Sequence, residues 1–457
     1  MVVAVLLVAW TGGPAHAIRP TNGDGWFGNG YDPEVDVYYY DSTDGCCRVW
    51  FVTAGEDAVP AEDIDDNDIP DFVEFIALSL GDAYQAYVDA GFLPPVDDAL
   101  YNDGDSGGDS RVDAYLVDMV DSDGFIVSEV HPEDTPRFDA AGYLTIENDF
   151  AGFGYPDLEY AMMVLASHEL FHLVQGAYDT RQSTWWTEGG AEWATELVYP
   201  DLNEWMHFVP AYFNSAHESL RSTTAIASAR PYGAVVWPLY LTERFGVPAH
   251  VAIWEDVVTD TEEYRDALVA ARDYLDANAP GGFDGAFAEF AWWCFLTGDR
   301  VGNDEGGFAD AATMPPLASS GTIAPDGSTW DFPLEASAFA HFEIAFDAAT
   351  EAGRQLVLNR AKDADGDIAI WWLTLVDGRW RRDPVDASEA YTVPEGASAM
   401  RLLAVNASLG GEAALEWTLR LRDAPDDAGD DADETDDDVN KPTPSGDSDS
   451  DDGGCGI

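Results

Sequence analysis

His168-Glu169-Leu170-Phe171-His172 is the segment of this 457-residue chain whose residue types and spacing could do chemistry. Residues four apart share one face of a helix, so both imidazoles can reach a single ion from neighbouring turns. Glu169 lies alongside, placed to take a proton from water that the ion polarises. Zinc lowers the pKa of such water to about 7, within reach of a carboxylate base at neutral pH. Two imidazoles do not complete a site. The nearby run Trp185-Trp186-Thr187-Glu188-Gly189-Gly190-Ala191-Glu192-Trp193 offers two carboxylates, Glu188 and Glu192, for a third position.

A second set of candidate ligands is purely oxygen-bearing. Asp63, Asp65, Asn67, Asp71 and Glu74 fall at positions one, three, five, nine and twelve of a twelve-residue calcium loop, with the backbone carbonyl of Ile69 at position seven. The glycine expected at position six is Asp68, and no clear helix enters the loop. The stretch therefore reads as an EF-like Ca2+ loop and not a full EF-hand. Residues 102–109, rich in Asp and Gly, form a weaker second candidate.

The elements that must hold these residues can be read from periodicity. Tyr160–Ala166 is apolar at helical spacing and no Pro or Gly intervenes before Gly176, so the His–Glu–His segment sits inside a helix over Leu158–Tyr178. A second helix begins near Thr187, with others over Tyr232–Phe245 and Thr261–Leu275. Upstream, Val35–Tyr40, Arg48–Thr53, Val112–Val117 and Tyr143–Glu147 have strand composition, and Phe72–Ala90 is helical. From residue 326 the pattern turns to alternating strands, Phe339–Phe346, Asp367–Val376 and Ser398–Val405, which suggests a β-sandwich. The expected fold is α+β: a mixed N-terminal lobe over 18–150, a mainly helical lobe over 151–325, a sandwich over 326–422 and an acidic tail over 423–457. That tail is too poor in apolar residues to offset its ordering entropy, which predicts disorder.

Charge narrows the class of partner. The chain carries 87 Asp and Glu against 21 Lys and Arg, a formal net charge of −66, and its only lysines are Lys362 and Lys441. Phosphate recognition needs clustered cations, so nucleic acid is disfavoured as a partner, and so is an anionic membrane surface. Residues 423–452 hold 14 of the acids, so most are spread over the folded body. Such a surface repels itself unless salt screens it, which points to a saline setting. Residues 1–17 combine an apolar run, Val2–Trp10, with Ala15-His16-Ala17, the pattern of an export leader and its cleavage site. No segment reaches the length of apolar chain a membrane span needs. Export would let Cys46 or Cys47, which are poorly placed to pair with each other, bridge to Cys294.

Around the active segment the chain resembles the gluzincin clan of zinc metallopeptidases. His172-Leu173-Val174-Gln175-Gly176 together with Trp186-Thr187-Glu188-Gly189-Gly190-Ala191-Glu192 is similar to the bacterial collagenase-type members. The chain as a whole resembles exported metalloproteases of myxobacteria. The resemblance implies a zincin-like catalytic domain in which Glu188 is the third zinc ligand and Glu169 the general base. Fifteen residues separate His172 from Glu188, fewer than in thermolysin, and by loop length alone Glu192 would suit that enzyme better. Placed one turn after Glu188, Glu192 could instead accept a hydrogen bond from a ligand histidine and fix its ring.

The collagenase-type enzymes further imply that Tyr232 steadies the oxyanion. Gluzincins bind the substrate backbone along an edge strand, a role that falls on Tyr143, Leu144 and Thr145. The activity implied is that of a secreted zinc endopeptidase acting on polypeptides, since no G-x-M-E-N-type amine anchor precedes the helix. Cys455 after the acidic tail resembles the start of myxobacterial surface-sorting signals, which would make cell-surface attachment an outcome. A surface binding protein with a structural zinc is the alternative; Glu169 argues against it, because a structural site needs no base.

Overall fold

The computed structural model describes residues 19–22, 30–101, 107–119, 122–130, 138–223, 229–259, 263–301, 306–360, 368–386 and 388–424. The leader, the tail with Cys455 and most of the second acidic turn lie outside them. The described chain is a mixed α+β structure with three open sheets.

The first sheet is built from β1 (Val37–Asp41), β2 (Cys47–Val52), β3 (Val112–Val117), β4 (Gly124–Val130) and β5 (Ala141–Glu147), in the order β1-β2-β3-β5-β4. The inner strands β2, β3 and β5 run parallel, and the two edges are antiparallel to their neighbours. Alternate side chains point to opposite faces. Val49, Phe51, Ala114, Leu116, Leu144 and Ile146 therefore join the large core beneath α1 (Asp71–Ala90) and α2 (Leu158–Gly176). On the other face Tyr115, Val117, Val127 and Tyr143 are covered by Tyr31.

This order corrects one expectation. Tyr143, Leu144 and Thr145 lie in an interior strand, paired on one side with β3 and on the other with β4. All three are buried. Their backbone groups are consumed by two ladders, so no peptide can be added there. Among the described residues the edge strand nearest α2 is β4, which follows β3 in the chain but lies outside β5 in space.

Helix α2 is buried on nearly every side and begins at Asp157, whose carboxylate accepts from the Tyr160 N–H at 2.8 Å. It packs on α3 (Thr184–Val198), followed by α4 (Val209–Phe213), α5 (Arg230–Gly233), α6 (Val236–Phe245), α7 (Pro248–Val257), α8 (Ala267–Asn278) and α9 (Gly282–Phe295). The helix expected over Tyr232–Phe245 is thus broken between α5 and α6.

Two sheets follow. One holds β6 (Gly321–Ile323), β8 (Ala338–Ile344), β10 (Ile368–Val376), β11 (Arg379–Pro384) and β13 (Ala397–Asn406). The other holds β7 (Asp326–Glu335), β9 (Gln355–Arg360), β12 (Tyr391–Thr392) and β14 (Glu412–Arg422). They face each other across one apolar core that includes Leu334, Phe342, Leu358, Trp372, Leu402 and Leu415. The outer face of the first sheet joins the helical core through Phe339, Leu373, Trp380 and Leu403. The expected bridge to Cys294 is absent. Cys294 is buried in α9 as a free thiol, while Cys46 and Cys47, also free, hold their sulfurs 2.9 Å apart beside the β1–β2 turn. Among the described residues no helix is long and apolar enough to cross a membrane.

Candidate metal centre

His168 and His172 project from one face of α2 toward α3, and both rings are almost wholly buried. The close packing of α3 depends on small residues. A Cβ on Gly190 would lie 3.2 Å from Gln175 Nε2 of α2, and one on Gly189 would lie 3.0 Å from the Val235 nitrogen between α5 and α6. Glu188 and Glu192, one turn apart on α3, thereby reach the imidazoles.

Hydrogen bonds fix which nitrogen of each ring carries a proton. Gln175 Nε2 donates to the Thr187 carbonyl at 2.8 Å, so its Oε1 is the atom turned to His172 Nδ1, also at 2.8 Å. An amide oxygen only accepts, hence Nδ1 of His172 bears a hydrogen and Nε2 is the nitrogen left to face an ion. His168 Nδ1 likewise faces a carboxylate oxygen, Glu192 Oε1, at 3.3 Å. The two Nε2 atoms converge on Glu188 Oε2, at 3.5 Å from His168 and 3.3 Å from His172. Neither Nε2 and neither Glu188 oxygen has a hydrogen-bond partner.

With both imidazoles neutral, the three atoms turned on one point repel one another unless a cation, a proton or a metal ion, lies between them. Ligand atoms about 2.0–2.1 Å from a tetrahedral zinc stand about 3.3–3.4 Å apart, matching the two spacings at Glu188. The three residues offer atoms within 4.8 Å of one another and could hold a metal ion. The donor set, two imidazoles and a carboxylate, suits zinc. The electrostatics carry the same sign. Burial opposes charge on His168, but Glu188 and Glu192 overcome it and raise its pKa well above the usual imidazole range. Burial would also raise Glu188, yet His172 and His168 outweigh it and bring it down to about 2. The cluster is poised to neutralise a positive charge.

Glu169 is fully buried, and neither of its oxygens has a hydrogen-bond partner. Burial pushes its pKa up to about 7; the two imidazoles work against that rise, and Glu188 and Asp123 add to it. Its carboxylate abuts the start of β4, since a Cβ on Gly124 would fall 2.9 Å from Oε1. Tyr232 is buried beside the cluster, its ring 6.1 Å from that of His168 at 22° and 5.0 Å from Phe208. The structure thus brings together His168, Glu169, His172, Glu188, Glu192 and Tyr232.

The residues of the expected calcium loop lie close together around Asn67. Asn67 sits among them and donates from its amide to Asp65 at 3.2 Å and Glu74 at 2.9 Å, while its Oδ1 accepts from the Ile69 N–H. Asp63 accepts from the backbone of Asn67 and Asp68, and Asp71 from that of Ile64. The loop is closed by its own hydrogen bonds. Asp68 adopts φ +67°, the left-handed conformation expected of the glycine it replaces and one that an Asp tolerates. Among the described residues, the cluster of His168, His172 and Glu188 is the group that assembles three candidate metal ligands.

Comparison with protein-family models and with curated proteins returns no match. What the centre can do therefore rests on its geometry. Sequence reasoning passed over three neighbours of that centre: Asp123 just before β4, Tyr155, and Glu204 in a short turn after α3. Asp123-Gly124 at the head of an apolar run carried a faint strand signal; nothing in the pattern marked Glu204.

Proposed function

We propose that this chain is a zinc-dependent endopeptidase, of the gluzincin type and zincin-like in fold, that acts outside the cell. The observation that carries this reading is the three-ligand cluster with an unpartnered carboxylate beside it. Structural zinc sites close their shell with four protein ligands, whereas catalytic sites keep a position for water or substrate. Here Glu192, the one other carboxylate paired with a ring of the centre, turns to the far nitrogen of His168 and is no ligand.

Zinc, when bound, supplies Lewis acidity toward a water molecule and toward the carbonyl of the scissile bond. The remaining steps belong to the chain's own residues. Glu169 accepts a proton from the attacking water and returns it to the leaving amine, a task suited to a pKa held near 7. Glu192 and Gln175 hold the two rings so that both Nε2 lone pairs face one point. Tyr232, packed against His168, is the residue available to steady negative charge on the carbonyl oxygen.

The substrate backbone would lie along β4. Its seven residues span about 23 Å at roughly 3.3 Å each. That length accommodates peptide on both sides of the bond cut, as an internal cleavage requires. Export follows from the leader-like pattern of residues 1–17.

Glu169→Gln is the decisive variant. It should keep zinc, measured by elemental analysis, and lose about 10²–10⁴ in chelator-sensitive peptide hydrolysis. Unchanged turnover, or a purified protein without zinc, overturns the reading.

A further inference from the structure

On the side of His168 turned away from Glu188, three more acids are buried together. Asp123 is 0% exposed, and Glu192 and Glu204 are each 2% exposed. Among the described residues no lysine or arginine forms an ion pair with any of them; the one partner of that kind is His168, against Glu192. Tyr155 donates its hydroxyl to Asp123 Oδ2. The carboxyl of Glu204 comes within hydrogen-bonding reach of Glu192, yet neither of its oxygens meets a donor and Asp123 Oδ1 is equally orphaned.

Fully ionised, such a group would cost far more than burial allows. Something positive must enter it. A second metal ion fits poorly, because the three acids do not converge as a ligand set in the way His168, His172 and Glu188 do. A basic side chain would have to be buried whole among the three, and among the described residues none of this chain's lysines or arginines is. A proton remains, and two carboxyls in hydrogen-bonding reach require one between them.

We propose that Glu204, in its acid form, donates a hydrogen bond to Glu192 and so fixes the carboxylate that orients His168, making Glu204 a positioning residue of the metal centre. The inference rests on reading His168, His172 and Glu188 as metal ligands. Burial and the nearness of Glu192 push the Glu204 carboxyl well above the usual carboxylate range, in keeping with this role. The turn that carries it is held firmly. Asn203 takes φ +52° before it, Trp205 is buried with its Nε1 donating to Glu196 at 3.0 Å, and Phe208 packs against Tyr232. Glu204, Glu192 and His168 thus form a line toward the metal centre, and Tyr232 lies between the His168 ring and Phe208.

The test compares the full chain with Glu204→Gln and Glu204→Ala. Zinc affinity is read by competition with a chromophoric chelator, and the acid proton by the infrared carbonyl band of a protonated carboxylic acid. A glutamine can donate where the acid did, so Glu204→Gln should bind zinc within about threefold of wild type and lose the one component of the band that belongs to residue 204. Alanine should weaken zinc about 10–100-fold, the usual cost of removing a group that orients a ligand. Equal weakening by glutamine and alanine, absence of the band in wild type, or a second zinc lost in Glu204→Gln each overturns the inference. Should the alanine variant fail to fold, the glutamine variant and the band still decide. A wild type that takes up no zinc refutes the metal centre itself, and is thereby distinguished from a failure of Glu204 alone.

Discussion

Glu188 and Glu192 stand one turn apart on α3, yet they meet His168 from opposite sides of its ring. Only the first faces both Nε2 atoms. Spacing along the chain could not separate them, because both lie on the helix face turned to α2; the choice needed either a family motif or the ring orientations set by Gln175 and Glu192. The two substitutions should consequently differ in kind. Glu188→Ala removes a ligand and should yield protein without zinc. Glu192→Ala leaves three ligands and frees one ring, so zinc should stay, bound about 10–100-fold more weakly. Chelator competition on the two purified variants measures this, and equal retention of zinc would mean that Glu188 is no ligand.

At the scale of elements, what was legible was local. The helix carrying His168 was readable because its apolar spacing ran unbroken to Gly176, and the strands Val112–Val117 and Ile368–Val376 because alternation and turns bounded them. Strand order was not, since pairing partners are chosen in space: β4 precedes β5 in the chain and ends up outside it. The Tyr143–Thr145 error follows from that alone. Correcting it gives Gly124 a purpose. Any side chain there would strike Leu165 at 2.8 Å and Glu169 at 2.9 Å, so the edge strand can begin over the base only if residue 124 is bare. Gly124→Ala should leave zinc content unchanged, because no ligand is touched. Displacing the base or the strand by a few tenths of an ångström should lower kcat/KM by roughly 10–100-fold. Full activity in that variant would show that β4 does not border the reacting bond.

Among the described residues the sandwich shares packing with the helical core, and the chain carries an excess of one charge. Phe339 and Trp380 of the sandwich pack against Phe290 and Phe295 of α9, at 5.5 and 5.0 Å between ring centres, so the sheets complete the helical core. The arginines are largely committed to local clusters. Arg19 lies among Asp98, Asp113 and Glu129, and Arg265 bridges Asp256 and Asp273. With 87 acids against 21 bases, most of the surplus carboxylates have no counter-charge and act on one another through solvent. Their repulsion reaches about 30 Å at 0.01 M salt and about 3 Å at 1 M. Folding compresses these charges, so screening should favour the folded chain. The melting temperature should climb steeply as NaCl rises from about 0.01 M and flatten well before about 1 M. A total gain of a few kcal/mol corresponds to roughly 3–5 °C for a chain of this size. KCl at equal ionic strength should give the same curve, because screening does not distinguish the ions. A steady rise that continues past about 1 M and depends on the salt chosen would point instead to exclusion of the salt from the surface. A melting temperature indifferent to salt would mean that the acids are already neutralised by cations bound in the fold.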